Sequence, residues 1–195
     1  MHLFVPALLV LLAPPPAQAA DELQGLLQQG DLLLIESSPD GRLDQVRTWS
    51  WFPQSPDQVW ATLVDWSSYV NWMPRVKSAE QVGQGEGWVD IRWEIRVPGP
   101  AVTFTARYAA DPATRRITGT WRDGDLQGSS WSWQLYADGS GTRLERVLKT
   151  TAATDSWLLR QFDDRWHSLE YGINAATPIV EAQGLRQALQ ARNPR

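Results

Sequence analysis

The chain has 195 residues, enough for one domain with a substantial core and too few for two comfortable ones. Its formal net charge of −4 offers no basic field, which argues against nucleic acid as a partner. The absence of cysteine excludes disulfides, thiol catalysis, iron–sulfur ligation and a lipid-modified N-terminal cysteine, and leaves carboxylates and two histidines as the possible metal ligands.

Residues 1–20 read as a secretory signal peptide. An apolar run from Leu3 to Ala13 meets a proline break and then Ala17-Gln18-Ala19, a small-x-small sequence that predicts cleavage near Ala19 or Ala20 and a periplasmic or secreted protein. The n-region carries His2 but no Lys or Arg, so an uncleaved anchor is the competing reading; the apolar run is short for a membrane span. Residues 21–195 then form a single domain. Leu23, Leu26 and Leu27 predict a short helix ending at Gly30, and residues 31–36 predict a strand closed by the Ser-Ser-Pro-Asp-Gly turn at 37–41. In a second strand, over 42–52, Val46, Thr48 and Ser50 alternate with Arg47, Trp49 and Trp51.

The stretch from Pro53 to Val76 carries the most information. Ser55, Pro56 and Gln58 form a helix start, with a Ser-x-x-Gln capping box and proline where its missing N–H costs nothing. Val59, Trp60, Leu63 and Val64 share one side of that helix, Asp65 and Ser67 restart the chain as a second short turn, and Pro74 ends it. Period-2 strands follow: 76–82, 88–97, 102–108, 115–122, 129–136 and 142–150. Short turns at 83–87, at 98–100 and at the Asp-Gly and Asp-Gly-Ser-Gly sites leave no room for crossover helices, so the strands make an antiparallel meander. Phe162, Trp166, Leu169, Ile173 and Ala176 then recur at helical spacing, a dry stripe that Gly172 weakens and that Pro178 is expected to kink or break. The order of elements is that of an α+β helix-grip fold: a curved antiparallel β-sheet wrapped around a long C-terminal helix, with two short helices after an early strand.

Residues 53–76 resemble the START-like (SRPBCC) superfamily in its polyketide cyclase/dehydrase or coenzyme-Q-binding branch. Val59-Trp60, Leu63, Asp65, Tyr69, Trp72, Pro74 and Val76 match its motif in register. Gly141-Thr142-Arg143-Leu144 is similar to the glycine-turn entry into its last strand, and Trp157-Leu158-Leu159 resembles the start of its final helix. The likeness spans roughly residues 24–190 and implies a cavity between sheet and helix. The superfamily hosts carriers, cyclases and hydrolases alike, so the likeness speaks for fold more than for activity.

Catalytic signals are thin. His167 lies one step off the dry stripe and reads as a structural or exposed residue. Asp163 and Asp164 are neighbours on a helix and point about 100° apart, which suits a solvated face. Asp65 sits at a helix break, where a carboxylate caps N–H groups. No catalytic residue, metal or cofactor is therefore expected.

The ligand case rests on the dry faces and on 12 tryptophans, more than packing normally demands. Ile91, Trp93, Ile95, Phe104, Tyr108, Trp131 and Trp133 on the strands, Phe162, Trp166, Leu169 and Ile173 on the helix, and Trp72 at the lip are the candidate walls; taken singly each reads as plain core, and taken together they suggest a lined hollow. Arg146 stays open: inward parity gives it a protein carboxylate or an acidic ligand head group as partner, whereas reversed parity puts Val147 inside and Arg146 on the surface. These residues point to an exported, monomeric binding protein for an apolar small molecule such as a lipid, an isoprenoid or a quinone-like tail, gated by the loops around Trp72, 83–87 and 98–100. A cyclase/dehydratase-type enzyme using Arg146 and Tyr108 in the same cavity is the alternative, and an apolar mouth in transient contact with a membrane or a protein partner is a third.

Overall fold

The computed structural model describes residues 17–192 apart from positions 40, 42, 97–100, 124–126 and 150–166. Its strands are β1 (Leu32–Ser37), β2 (Leu43–Phe52), β3 (Val76–Gly85), β4 (Trp88–Ile95), β5 (Val102–Asp111), β6 (Arg116–Trp121), β7 (Ser130–Asp138) and β8 (Gly141–Lys149). Helix α1 (Ala17–Gln29) precedes them. Between β2 and β3 lie α2 (Pro56–Leu63), a 3-10 turn (Trp66–Ser68) and α3 (Tyr69–Trp72), and α4 (His167–Arg192) closes the chain. No helix among the described residues is long and apolar enough to cross a membrane.

The strands form one 8-stranded antiparallel sheet in the order β1-β2-β8-β7-β6-β5-β4-β3. β1 and β2 are a hairpin at one end. The chain then passes through α2, the 3-10 turn and α3 to the opposite edge, and meanders back until β8 pairs with β2. The helix-grip architecture expected from the order of elements is the one observed.

The capping box forms as expected: the Gln58 amide donates to Ser55 Oγ at 3.4 Å, and the Ser55 amide donates to Gln58 Oε1 at 3.0 Å. Asp65 does something else. It precedes the 3-10 turn without a side-chain cap; its carboxylate accepts from Ser67 Oγ at 2.8 Å and pairs with Arg192 of α4 at 2.6 Å. A guanidinium from the far end of the chain offers a carboxylate a stronger, charge-assisted partner than an amide. At Pro178, where a kink or a break is expected, α4 does not break: one helix runs from His167 to Arg192. Pro178 is itself on the buried face of the helix, so its packing helps offset one lost backbone bond.

Cross-strand register selects the inner face. One row runs Tyr108, Gly119, Trp131, Leu148, Val46; the next runs Ile117, Trp133, Arg146, Thr48. Gly119 is required where it stands, since a Cβ there would lie 2.2 Å from the Trp131 ring. On the other face Arg107 donates from Nε and Nη2 to Asp90 at 2.8 Å and stacks 3.6 Å from the Trp88 ring centroid. The alternating charges of β4 are thus the solvated side, and Ile91 and Trp93 the buried one.

Candidate ligand-binding site

Helix α4 rests on β2, α2 and α3. Its buried face is Pro178, Ala182, Leu185 and Leu189, spaced four, three and four apart. Ala176, expected on the dry stripe, is exposed, because two residues before Pro178 is about 200° around the helix. Gly184 lets the helix close on α3: a Cβ there would sit 2.2 Å from the Trp72 carbonyl oxygen.

Where α4 meets the sheet, a cavity of about 20 Å³ remains, space on the order of one water molecule. Thr48 and Ser50 of β2, Trp133 of β7, and Leu144 and Arg146 of β8 form its sheet side. Leu63 and Trp72 come from the small helices, and Pro178, Glu181, Ala182 and Leu185 from α4.

Arg146 points inward. It is 8% exposed between buried Leu144 and Leu148, and Val147 faces the other way. Its partner is a protein carboxylate. Nη2 donates to Glu181 Oε1 at 3.3 Å, and Nη1 lies 3.0 Å from Oε2 but off the hydrogen-bonding angle. Among the described residues, Arg146 Nε and Nη1 and Glu181 Oε2 are buried without a formed hydrogen bond. Burial pushes the Glu181 carboxyl above the usual carboxylate range, with Arg146 pulling the other way.

Beside the cavity the rings form a continuous belt. Tyr69 contacts Trp72, Trp93 and Trp66 at centroid distances of 4.5, 5.3 and 5.6 Å. Trp66 meets Tyr108 at 4.4 Å, Tyr108 meets Trp131 at 5.2 Å, and Trp121 links Trp131 to Phe104 at 4.3 and 6.0 Å. Tyr69 donates its hydroxyl to the Leu63 carbonyl at 2.5 Å, fixing α3 to α2. Burial, with Tyr108 and Glu181 adding to it, raises the Tyr69 phenol well above its usual value; burial and then Glu181 do the same for Tyr108. Both phenols are neutral donors at any ordinary pH.

Of the predicted wall residues, Trp72, Trp133 and Arg146 line the cavity. Ile91, Trp93, Tyr108 and Trp131 are buried, and Ile95 and Phe104 partly so, in the core cluster that adjoins it. Phe162 and Trp166, like Asp163 and Asp164, lie outside the described residues, as do the side chains of His167, Leu169 and Ile173 within α4. The other wall residues, Thr48, Ser50, Leu63, Leu144, Pro178, Glu181, Ala182 and Leu185, are not among those the sequence pointed to. Glu181 has a signal in the sequence, three residues after Pro178 and four before Leu185, which sets a carboxylate on the buried face of α4. Among the described residues no group of three or more His, Asp or Glu is placed to hold a metal ion.

Residues 52–165 match the family described as polyketide cyclase/dehydrase and lipid transport, and the chain belongs to that family. No curated protein matches it by sequence. Among solved structures it resembles a protein of Thermus thermophilus at 21% identity and a TM-score of 0.63, over 76% of this chain and 99% of that one. The Zhui aromatase/cyclase of Streptomyces sp. R1128 aligns at 21% identity and 0.61, over 76% and 94%. A STAR-related lipid transfer protein of Xanthomonas axonopodis aligns at 15% and 0.53, over 81% and 98%. At these identities the likeness establishes the fold, which serves both a cyclase and a lipid transfer protein.

Proposed function

We propose that this chain is an exported binding protein that shelters an apolar small molecule, such as a lipid, an isoprenoid or a quinone-like tail, between the sheet and α4. The observation that carries this is the seam itself: a residual cavity with predominantly apolar walls, continuous with a belt of aromatic rings. At about 20 Å³ it admits a ligand only if α4 or the small helices yield, so binding is coupled to opening. Burial of apolar ligand area, at about 25 cal/mol per Å², offsets that cost. Export rests on the apolar run from Leu3 to Ala13 and the Ala17-Gln18-Ala19 sequence.

Titration with the neutral apolar dye N-phenyl-1-naphthylamine tests it. Saturable binding that quenches tryptophan emission, weakened about tenfold by Ala182→Leu, is expected, because the added atoms fill the cavity that Trp72 and Trp133 line. Equal affinity in that variant places the dye elsewhere and contradicts the proposal. A cyclase/dehydratase activity in the same space is the second reading. It is favoured by the ionisable pair Arg146–Glu181 at the cavity wall and by Tyr108 close enough for both charges to act on its phenol.

A further inference from the structure

The Arg146–Glu181 pair, with Thr48 and Ser50, is the polar part of a cavity whose other walls are apolar, and its hydrogen-bonding capacity is largely unused. A guanidinium has five N–H donors in a planar fork that fits a carboxylate two bonds at a time. Glu181 supplies one bond, at 3.3 Å, while Nε and Nη1 stay buried without another among the described residues. The hydroxyl-bearing residues Thr48, the cross-strand neighbour of Arg146, and Ser50 line the same space and are each 4% exposed. Trp72, Trp133 and Leu185 continue it as an apolar wall.

We infer that the ligand is an amphiphilic monocarboxylic acid whose carboxylate takes the Arg146 fork, Glu181 being the internal carboxylate that occupies the guanidinium until the ligand arrives. This rests on the binding function proposed above and names the ligand's head group. The charge balance follows from burial. The resting pair is neutral, and a second carboxylate would leave a buried negative charge, so Glu181 takes one proton from solvent as the acid binds. The groups facing Glu181 allow this: Arg146 from β8 is committed to the ligand, and Tyr108 of β5 and Tyr69 of α3 are neutral phenols. The raised affinity of Glu181 for a proton in the resting protein is in keeping with that exchange.

Calorimetry with dodecanoic acid and 1-dodecanol, in two buffers of different ionisation enthalpy at about pH 8, where the free acid is ionised, tests the inference. The acid is expected to bind about tenfold or more tightly than the alcohol, with uptake of about one proton per acid and none for the alcohol. Arg146→Met should level the two affinities. Glu181→Gln should keep the preference for the acid and lose the proton uptake, and it serves alone if Arg146→Met does not fold by circular dichroism. Equal affinities, no proton uptake, or acid binding untouched by Arg146→Met overturns the inference. An alcohol bound as tightly as the acid defeats the head-group assignment and leaves the apolar-binding function standing; failure of both probes, with no apolar molecule co-purifying, ends both.

Discussion

Arg146 and Glu181 stabilise each other only as a pair. Their side chains are 10% and 15% exposed, so each charge is costly without the other. Glu181→Leu alone should lower unfolding free energy by about 3–5 kcal/mol in urea titrations, because it strands a buried guanidinium. Arg146→Met combined with Glu181→Leu should recover most of that loss, since packed apolar groups carry no desolvation cost. The pH dependence has a definite sign. A carboxyl whose folded pKa is raised binds more protons folded than unfolded between the two values, so stability falls as pH rises from about 4.5 through the raised value. Glu181→Gln should flatten that slope in thermal melts taken across pH. Asp90 acts oppositely. The Arg107 hydrogen bond lowers its pKa below 3.8, so its contribution is lost on acidification through that lowered value. The sequence showed that Arg146 alternates with Val147 but not which of them faces inward; the Thr48 register decides it. Glu181 escaped notice because the dry stripe was followed only to Ala176, short of the buried face that Pro178, Ala182 and Leu185 carry beyond it.

Among the elements, α4 and the small helices show propensity and packing opposed. In an open helix interior Gly→Ala stabilises by roughly 0.5–1 kcal/mol. Gly172→Ala should do so, because no described atom lies within 4 Å of its Cβ position. Gly184→Ala should instead destabilise by about 2 kcal/mol, its Cβ falling 2.2 Å from a backbone oxygen of α3 that cannot swing aside. Chemical denaturation of the two variants side by side separates the effects, and a stabilised Gly184→Ala would show that α4 sits farther from α3. The strands and the capped start of α2 were legible because period-2 alternation and Ser-x-x-Gln are local signals. The seat of α4 was not, because a close approach of glycine to a distant carbonyl leaves no local mark.

For the molecule as a whole, topology makes the cavity. The chain leaves the β1–β2 hairpin, crosses through α2 and α3, and returns as a meander, so α4 meets strands and small helices along one seam. Ion pairs fasten that helix to both sides, Arg186 to Asp31 before β1 and Arg192 to Asp65 before the 3-10 turn. The fold was legible from element order; the narrowness of the cavity was not, because ring size says nothing of whether rings stack into the gap or line it. A cavity of about 20 Å³ in a binding protein means that the occupied state differs from this one. Native mass spectrometry of the protein purified from its own host is the direct measurement. A mass surplus matching one apolar small molecule, released by organic extraction, is the predicted result. A bare polypeptide mass, together with turnover of an aromatic polyketide, would contradict a binding role and establish the enzyme instead.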